Sequence, residues 1–224
     1  MNSTDFETWQ IATIGAGLVL AATAPLVVRS RSRVLRQRWL TWLVLIGIYA
    51  LAALLGAWAT VTIMAAVMVV CAIEYLKLVR GFTILGLIWI AVGAAQAALS
   101  PLRGFELFLV IAAFDIGGWL GGQLAKKSGF ASYKIAPAVS PNKTLAGLLV
   151  SAVSGAVVVA VLKPSWLVTY PAIALLAVCG DLAESWLKRR AGVKDAGTWL
   201  PGFGGLLDRV DAFLAASLIL WWLQ

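Results

Sequence analysis

The chain has 224 residues, of which 62% are hydrophobic and only 12% charged, and its mean hydropathy is +0.93. Soluble domains are about 45–50% apolar and about 25% charged, and disordered chains are more polar still, so both classes are excluded. The net charge of +8 is carried by basic residues lying between long apolar runs, which points to membrane topology rather than nucleic-acid binding, and with no His the chain has no Ser-His-Asp or Cys-His catalysis and no His-containing zinc site.

A bilayer core about 30 Å thick needs about 20 apolar residues in a helix. On that measure the sequence predicts about eight spans, at 10–28, 39–56, 58–76, 82–99, 105–125, 144–162, 166–183 and 205–223. The second and third share one uncharged stretch that is too long for a single helix, and a break is expected near Gly56–Thr60. Asp5 and Glu7 precede the first span and a basic block follows it, the reverse of a signal peptide, so this span is expected to stay as an anchor. Cys71 and Cys179 lie inside apolar runs and are read as small buried hydrophobes.

Alternating spans place Arg29, Arg31, Arg33, Arg36, Arg38, Lys77, Arg80, Lys126, Lys127, Lys134, Lys143, Lys188, Arg189, Arg190, Lys194 and Arg209 on one side. That is 16 of the 18 basic residues, leaving Arg103 and Lys163 on the other. By the positive-inside rule the rich side is cytoplasmic and both termini are external. The expected fold is an all-α, polytopic integral membrane protein with about eight transmembrane helices and a polar cavity facing the cytoplasm. No linker divides the chain, so 1–224 is read as one domain.

The ten acidic residues carry the functional information. Glu74 reads as a surface partner of Lys77, and Asp5, Glu7 and Glu106 as solvated external groups. Asp115 falls mid-membrane in the fifth span, where an ionisable group usually faces a cavity or a partner. Gly118 and Gly122 share its helical face, so a second helix or a ligand can approach closely there. Ser140-Pro141-Asn142-Lys143-Thr144 precedes the sixth span, and hydroxyls, backbone N–H groups and a lysine at a helix start suit phosphate. Asp181, Glu184, Ser185 and Lys188 line one face of a helix that begins within a span, which predicts a wet pocket in the membrane. Asp208 and Asp211 share a face at the start of the last span. Convergence of Asp181, Asp208 and Asp211 would make an all-oxygen site suited to Mg²⁺; the alternative for Asp208 is a helix cap paired with Arg209.

Ser185-Trp-Leu-Lys188-Arg189, then Lys194-Asp195-Ala-Gly197, then Leu200-Pro201-Gly202-Phe203-Gly204-Gly205-Leu-Leu-Asp208-Arg209-Val-Asp211 resembles the C-terminal signature of the phosphatidate cytidylyltransferases, or CDP-diacylglycerol synthases. Asp115, the Ser-Pro-x-Lys-Thr stretch and the Gly-Asp-Leu-x-Glu-Ser run follow the family's order, so the resemblance covers about 105–223. Two departures stand out. Phe203 occupies the position of a family His, and Asn142 stands where the family has Lys.

The resemblance implies that CTP and phosphatidate react at a bacterial inner membrane, on its cytoplasmic side, to give CDP-diacylglycerol and pyrophosphate. Asp181, Asp208 and Asp211 would hold Mg²⁺, with the identity of a second cation open, and Lys188 and Arg189 would act beside them. Ser140, Lys143, Thr144, Asp115, Lys194, Asp195 and Arg209 would bind substrate. The same resemblance implies a homodimer, while the charge pattern is explained by insertion and contact with membrane lipid and calls for no nucleic-acid partner. Two rival readings remain. A CDP-alcohol phosphotransferase also places carboxylates at a membrane interface, but its Asp-x-x-Asp-Gly-x-x-Ala-Arg pattern is absent, since Ala212 follows Asp211. The other is a paralog in the same fold that is non-catalytic or altered in substrate, either a lipid-binding scaffold or a transporter coupled through Asp115.

Overall fold

A computed structural model describes residues 3–29, 32–79, 84–128 and 133–223. Arg31 and Arg80 of the charge pattern, and the side chain of Asp5, lie outside the described residues. Among the described residues, eight α-helices follow in order: α1 (Ser3–Arg29), α2 (Arg33–Leu55), α3 (Ala57–Leu78), α4 (Ile84–Leu99), α5 (Pro101–Lys127), α6 (Leu145–Leu162), α7 (Tyr170–Ala191) and α8 (Leu207–Ser217). Among the described residues, six of them (all but α4 and α8) are long and apolar enough to cross a membrane. The protein is thus a helical membrane protein.

Local chemistry sets the boundaries. Ser32 caps α2 by accepting from Leu35 N at 3.3 Å, and Thr144 caps α6 by accepting from Gly147 N at 3.1 Å. The break expected in 39–76 falls at Gly56, whose φ of +97° ends α2 and starts α3. Pro101 opens α5, and Gly192 closes α7 at φ +74°.

Helix faces divide between lipid and core. On α6, Leu149, Val153, Val157 and Val161 recur every four residues and are exposed, whereas Gly147, Ser151, Gly155 and Val159 are buried. Cys71 is buried but Cys179 is exposed on α7, so only the first is a core residue as expected. Tyr49 of α2, Phe105 and Phe108 of α5 and Phe213 of α8 pack ring against ring at centroid separations of 5.5–5.9 Å.

Other features of the fold also differ from the sequence expectation. A two-stranded antiparallel hairpin, β1 (Lys134–Ala136) and β2 (Ser140–Thr144), leads into α6. The apolar run at 205–223 forms only the 11-residue α8 and a 3₁₀ turn at Leu220–Trp222. At 1.5 Å per residue α8 is about 16 Å long, and every residue in it except Arg209 is buried, which makes it a central helix of the bundle rather than a lipid-facing one. Glu106 is not solvated: it is fully buried near the start of α5, with Lys163 Nζ at 3.6 Å.

Candidate active site

The site is built where α5, α6, α7 and α8 meet. Small residues bring α5 and α6 together, because a Cβ on Gly121 would lie 2.7 Å from Val150 Cβ, and one on Gly118 2.6 Å from Ser151 Oγ. Gly122, one turn further, would meet nothing nearer than Thr144 Oγ1 at 3.9 Å. The seam therefore opens at Gly122 into a cavity of about 520 Å³. Gly180 does the same for α7 and α8, where a Cβ would stand 2.7 Å from Asp211 O.

Asp115, Asp181 and Asp211 line this cavity together with Lys143 and Arg209, while Trp119, Leu148 and Val178 supply apolar wall. Lys143 forms an ion pair with Asp181. Asp115 lies within electrostatic reach of Asp181, Asp211, Arg209 and Lys143, so three carboxylates and two cations share one recess. Asp211 Oδ1 accepts from Ala212 N at 2.8 Å.

Asp208 also borders the cavity, but its carboxylate is engaged by the protein. Oδ1 accepts from Lys188 Nζ at 2.6 Å, and Oδ2 accepts from Ala196 N at 2.8 Å and Gly205 N at 2.7 Å. Lys188 also meets Glu184 at 2.5 Å, and both Glu184 and Asp208 are buried. The polar face of α7 read from the sequence is thus split. Asp181 points to the cavity, and Glu184 and Lys188 bind α7 to α8.

The loop between α7 and α8 is gripped from the N-terminal helices. Arg38 Nε donates to Gly202 O at 2.9 Å and Thr41 Oγ1 to Pro201 O at 3.1 Å, both from α2. Phe203 lies under two guanidiniums, with Arg209 Cζ at 4.6 Å and Arg38 Cζ at 5.3 Å from the ring centroid. Glu74 of α3 is fully buried and accepts from Leu206 N at 3.1 Å and Leu207 N at 2.7 Å. It is no surface partner of Lys77.

Of the residues singled out from the sequence, Asp115, Lys143, Thr144, Asp181, Asp208, Arg209 and Asp211 border one cavity. Lys188, Arg189, Ser140, Lys194 and Asp195 are not among its lining residues. Arg189 Nε instead donates to Val139 O at 3.1 Å, fixing the hairpin to α7, and Ser140 pairs with Ala136 across it. Lys194 and Asp195 are exposed. Lys126 and Gln123 line the cavity without having been singled out. Lys126 was legible by periodicity, since it stands eleven residues, about three helical turns, beyond Asp115 on the same face of α5.

Among the described residues no group of three or more carboxylates or thiols converges tightly enough to hold an ion unaided. The donors facing the cavity are nonetheless all hard oxygens, and Mg²⁺ typically takes one or two carboxylates and completes its shell with substrate phosphates and water. The residues present fit that ion.

Residues 81–224 match the model of the cytidylyltransferase family. A protein of Brucella suis named phosphatidate cytidylyltransferase is 36% identical over 197 residues, covering 80% of this chain and 70% of that one. A protein of the same name from Helicobacter pylori is 43% identical over 122 residues, covering 51% and 44%. A third, from Mycobacterium leprae, is 35% identical over 147 residues, covering 59% and 46%.

Proposed function

We propose that this chain, which belongs to the cytidylyltransferase family, transfers the cytidylyl group of CTP to the phosphate of phosphatidate, releasing pyrophosphate. A phosphate oxygen of the lipid attacks the α-phosphorus of CTP, a P–O bond forms, and the bond to the β-phosphate breaks with its electron pair leaving on pyrophosphate. The attacking oxygen is already anionic at neutral pH, so no general base is required. The work left to the protein is positioning and charge neutralisation.

The observation that carries the reading is the mixed character of one cavity. Asp115, Asp181 and Asp211 face Lys143 and Arg209 there, with apolar wall beside them. Lys143 and Arg209 are suited to the triphosphate and the lipid phosphate, with Lys126 at the same recess. Asp181 and Asp211 would hold Mg²⁺. Asp208 has about one of a carboxylate's four lone-pair sites left after three protein hydrogen bonds. An Mg²⁺ ion held by these carboxylates would supply positive charge to the phosphoryl oxygens. Lys188 and Arg189 act by holding α8 and the hairpin in place, and Thr144 caps α6 beneath the phosphate region.

The same reading includes about eight crossings, with α4 and the α8 segment completing the six longer helices. It places the cavity on the cytoplasmic side of a bacterial inner membrane, where a nucleotide is available. A homodimer belongs to it on grounds of family alone.

The test is pyrophosphate release by purified protein in mixed micelles of phosphatidate with CTP and Mg²⁺, for the native chain, Phe203→His, Asp181→Ala and Asp208→Ala. The native chain is expected to require both substrates. Asp181→Ala should abolish turnover with its melting point in detergent unchanged. Asp208→Ala should abolish turnover and melt earlier, because three donors lose their acceptor at about 1–3 kcal/mol each. A silent native chain with an active Phe203→His would identify a paralog that has lost this chemistry. Silence from both overturns the reaction.

A further inference from the structure

We infer that Glu74, in α3 and upstream of the segment 81–224 that matches the family model, is a positioning residue for the site. The inference rests on the reaction proposed above for its kinetic arm only. The α8 N-terminus has no side-chain cap of its own, its N-cap position being Leu206. Glu74 supplies the cap from another helix, using one oxygen for Leu206 N and the other for Leu207 N. A carboxylate at that end also opposes the positive pole of the helix dipole.

Glu74 and Asp208 divide the loop between them. Glu74 takes the amides of 206 and 207, and Asp208 takes those of 196 and 205. Gly205 sits where the two carboxylates meet. A Cβ there would lie 2.7 Å from Gly197 N, 2.8 Å from Glu74 Oε2 and 2.9 Å from Asp208 Oδ2, so the packing admits only glycine.

The cavity residues Arg209 and Asp211 lie two to five residues beyond these capped amides. An 11-residue helix is too short to be stable by itself, so its position is set by the groups that grip it, at its N-terminus Glu74 and Asp208. The cap therefore sets where Arg209 and Asp211 stand relative to Asp181 on α7. A displacement of about 1 Å at a reacting centre can cost about 100-fold in rate.

The experiment compares native protein, Glu74→Gln and Glu74→Ala in detergent by hydrogen exchange and by turnover. Glu74→Ala should exchange the amides of 206 and 207 at least about tenfold faster while α5 and α6 keep native protection, with kcat down about 100-fold. Glu74→Gln, retaining one acceptor oxygen, should fall between. Native protection at 206 and 207 in Glu74→Ala overturns the inference, as does native kcat in a variant whose 206 and 207 amides have become fast. If the native chain itself fails to turn over, the reaction falls, and exchange at 206 and 207 decides the role of Glu74 alone.

Discussion

Phe203 occupies a place where two guanidiniums, of Arg38 and Arg209, lie over a single ring with Trp42 edge-on at 6.2 Å. A neutral aromatic face attracts both cations, an interaction worth about 0.5–2 kcal/mol each depending on solvation. It also holds Arg209 toward the cavity. An imidazolium at the same point would repel both. Neighbouring positive charge disfavours a charged His, so Phe203→His should titrate below the ordinary value of about 6.5. Its rate should rise with pH through that region and level off above it as the ring becomes neutral. The native chain, with nothing to titrate at 203, should lack that step. Pyrophosphate release measured from pH 5 to 8 checks this, and superimposable profiles would refute it. The sequence showed the exchange of His for Phe but not its setting, because Arg38 is 165 positions away. Glu74 escaped notice for the same reason. Its local neighbour Lys77 offered an ordinary surface pairing, and its real partners, the amides of 206 and 207, are more than 130 positions distant.

At the scale of elements, the glycines of α5 separate two tasks that sequence spacing alone merges. Gly121 is closed against α6, where a Cβ would stand 2.7 Å from Val150 Cβ and 2.9 Å from Ala146 O. Gly122 faces the cavity, and a methyl there would find room. Gly121→Ala should therefore force α5 and α6 apart and cost about 1–3 kcal/mol, seen as an earlier melt in detergent. Gly122→Ala should melt like the native protein yet raise KM for CTP, since its methyl enters the recess beside Thr144. Thermal melts and CTP titrations on the pair distinguish the two roles, and equal melts would show that the seam is not tight. The elements themselves were largely legible. Gly56 and Thr144 gave boundaries from local chemistry, but an apolar run such as 205–223 reads alike for a lipid-facing helix and for one buried on all sides. Only packing distinguishes them. The hairpin at 134–144 was hidden because its strands are only three and five residues long, too short to show an alternating pattern.

For the whole molecule, the charge asymmetry and the packing agree about which residues share an end. Glu106 near the start of α5 pairs with Lys163 just after α6, while Lys126 at the end of α5 and Lys143 just before α6 border the cavity. The two basic residues left over by the sequence pattern, Arg103 and Lys163, thus belong to the end away from the site. If the rich side is cytoplasmic, the cavity opens to the cytoplasm and the turn at 163–169 faces outward. Ser165 and Lys134 are both exposed and lie on these opposite sides. In a Cys179→Ser background, Ser165→Cys should react with a membrane-impermeant maleimide in intact cells. Lys134→Cys, on the hairpin, should react only after permeabilisation. The buried Cys71 supplies the unreactive control within the same chain. The reverse pattern would turn the molecule over and put the carboxylates of the cavity beyond reach of cytoplasmic CTP; labelling of both positions in intact cells would remove the crossing by α6 between them.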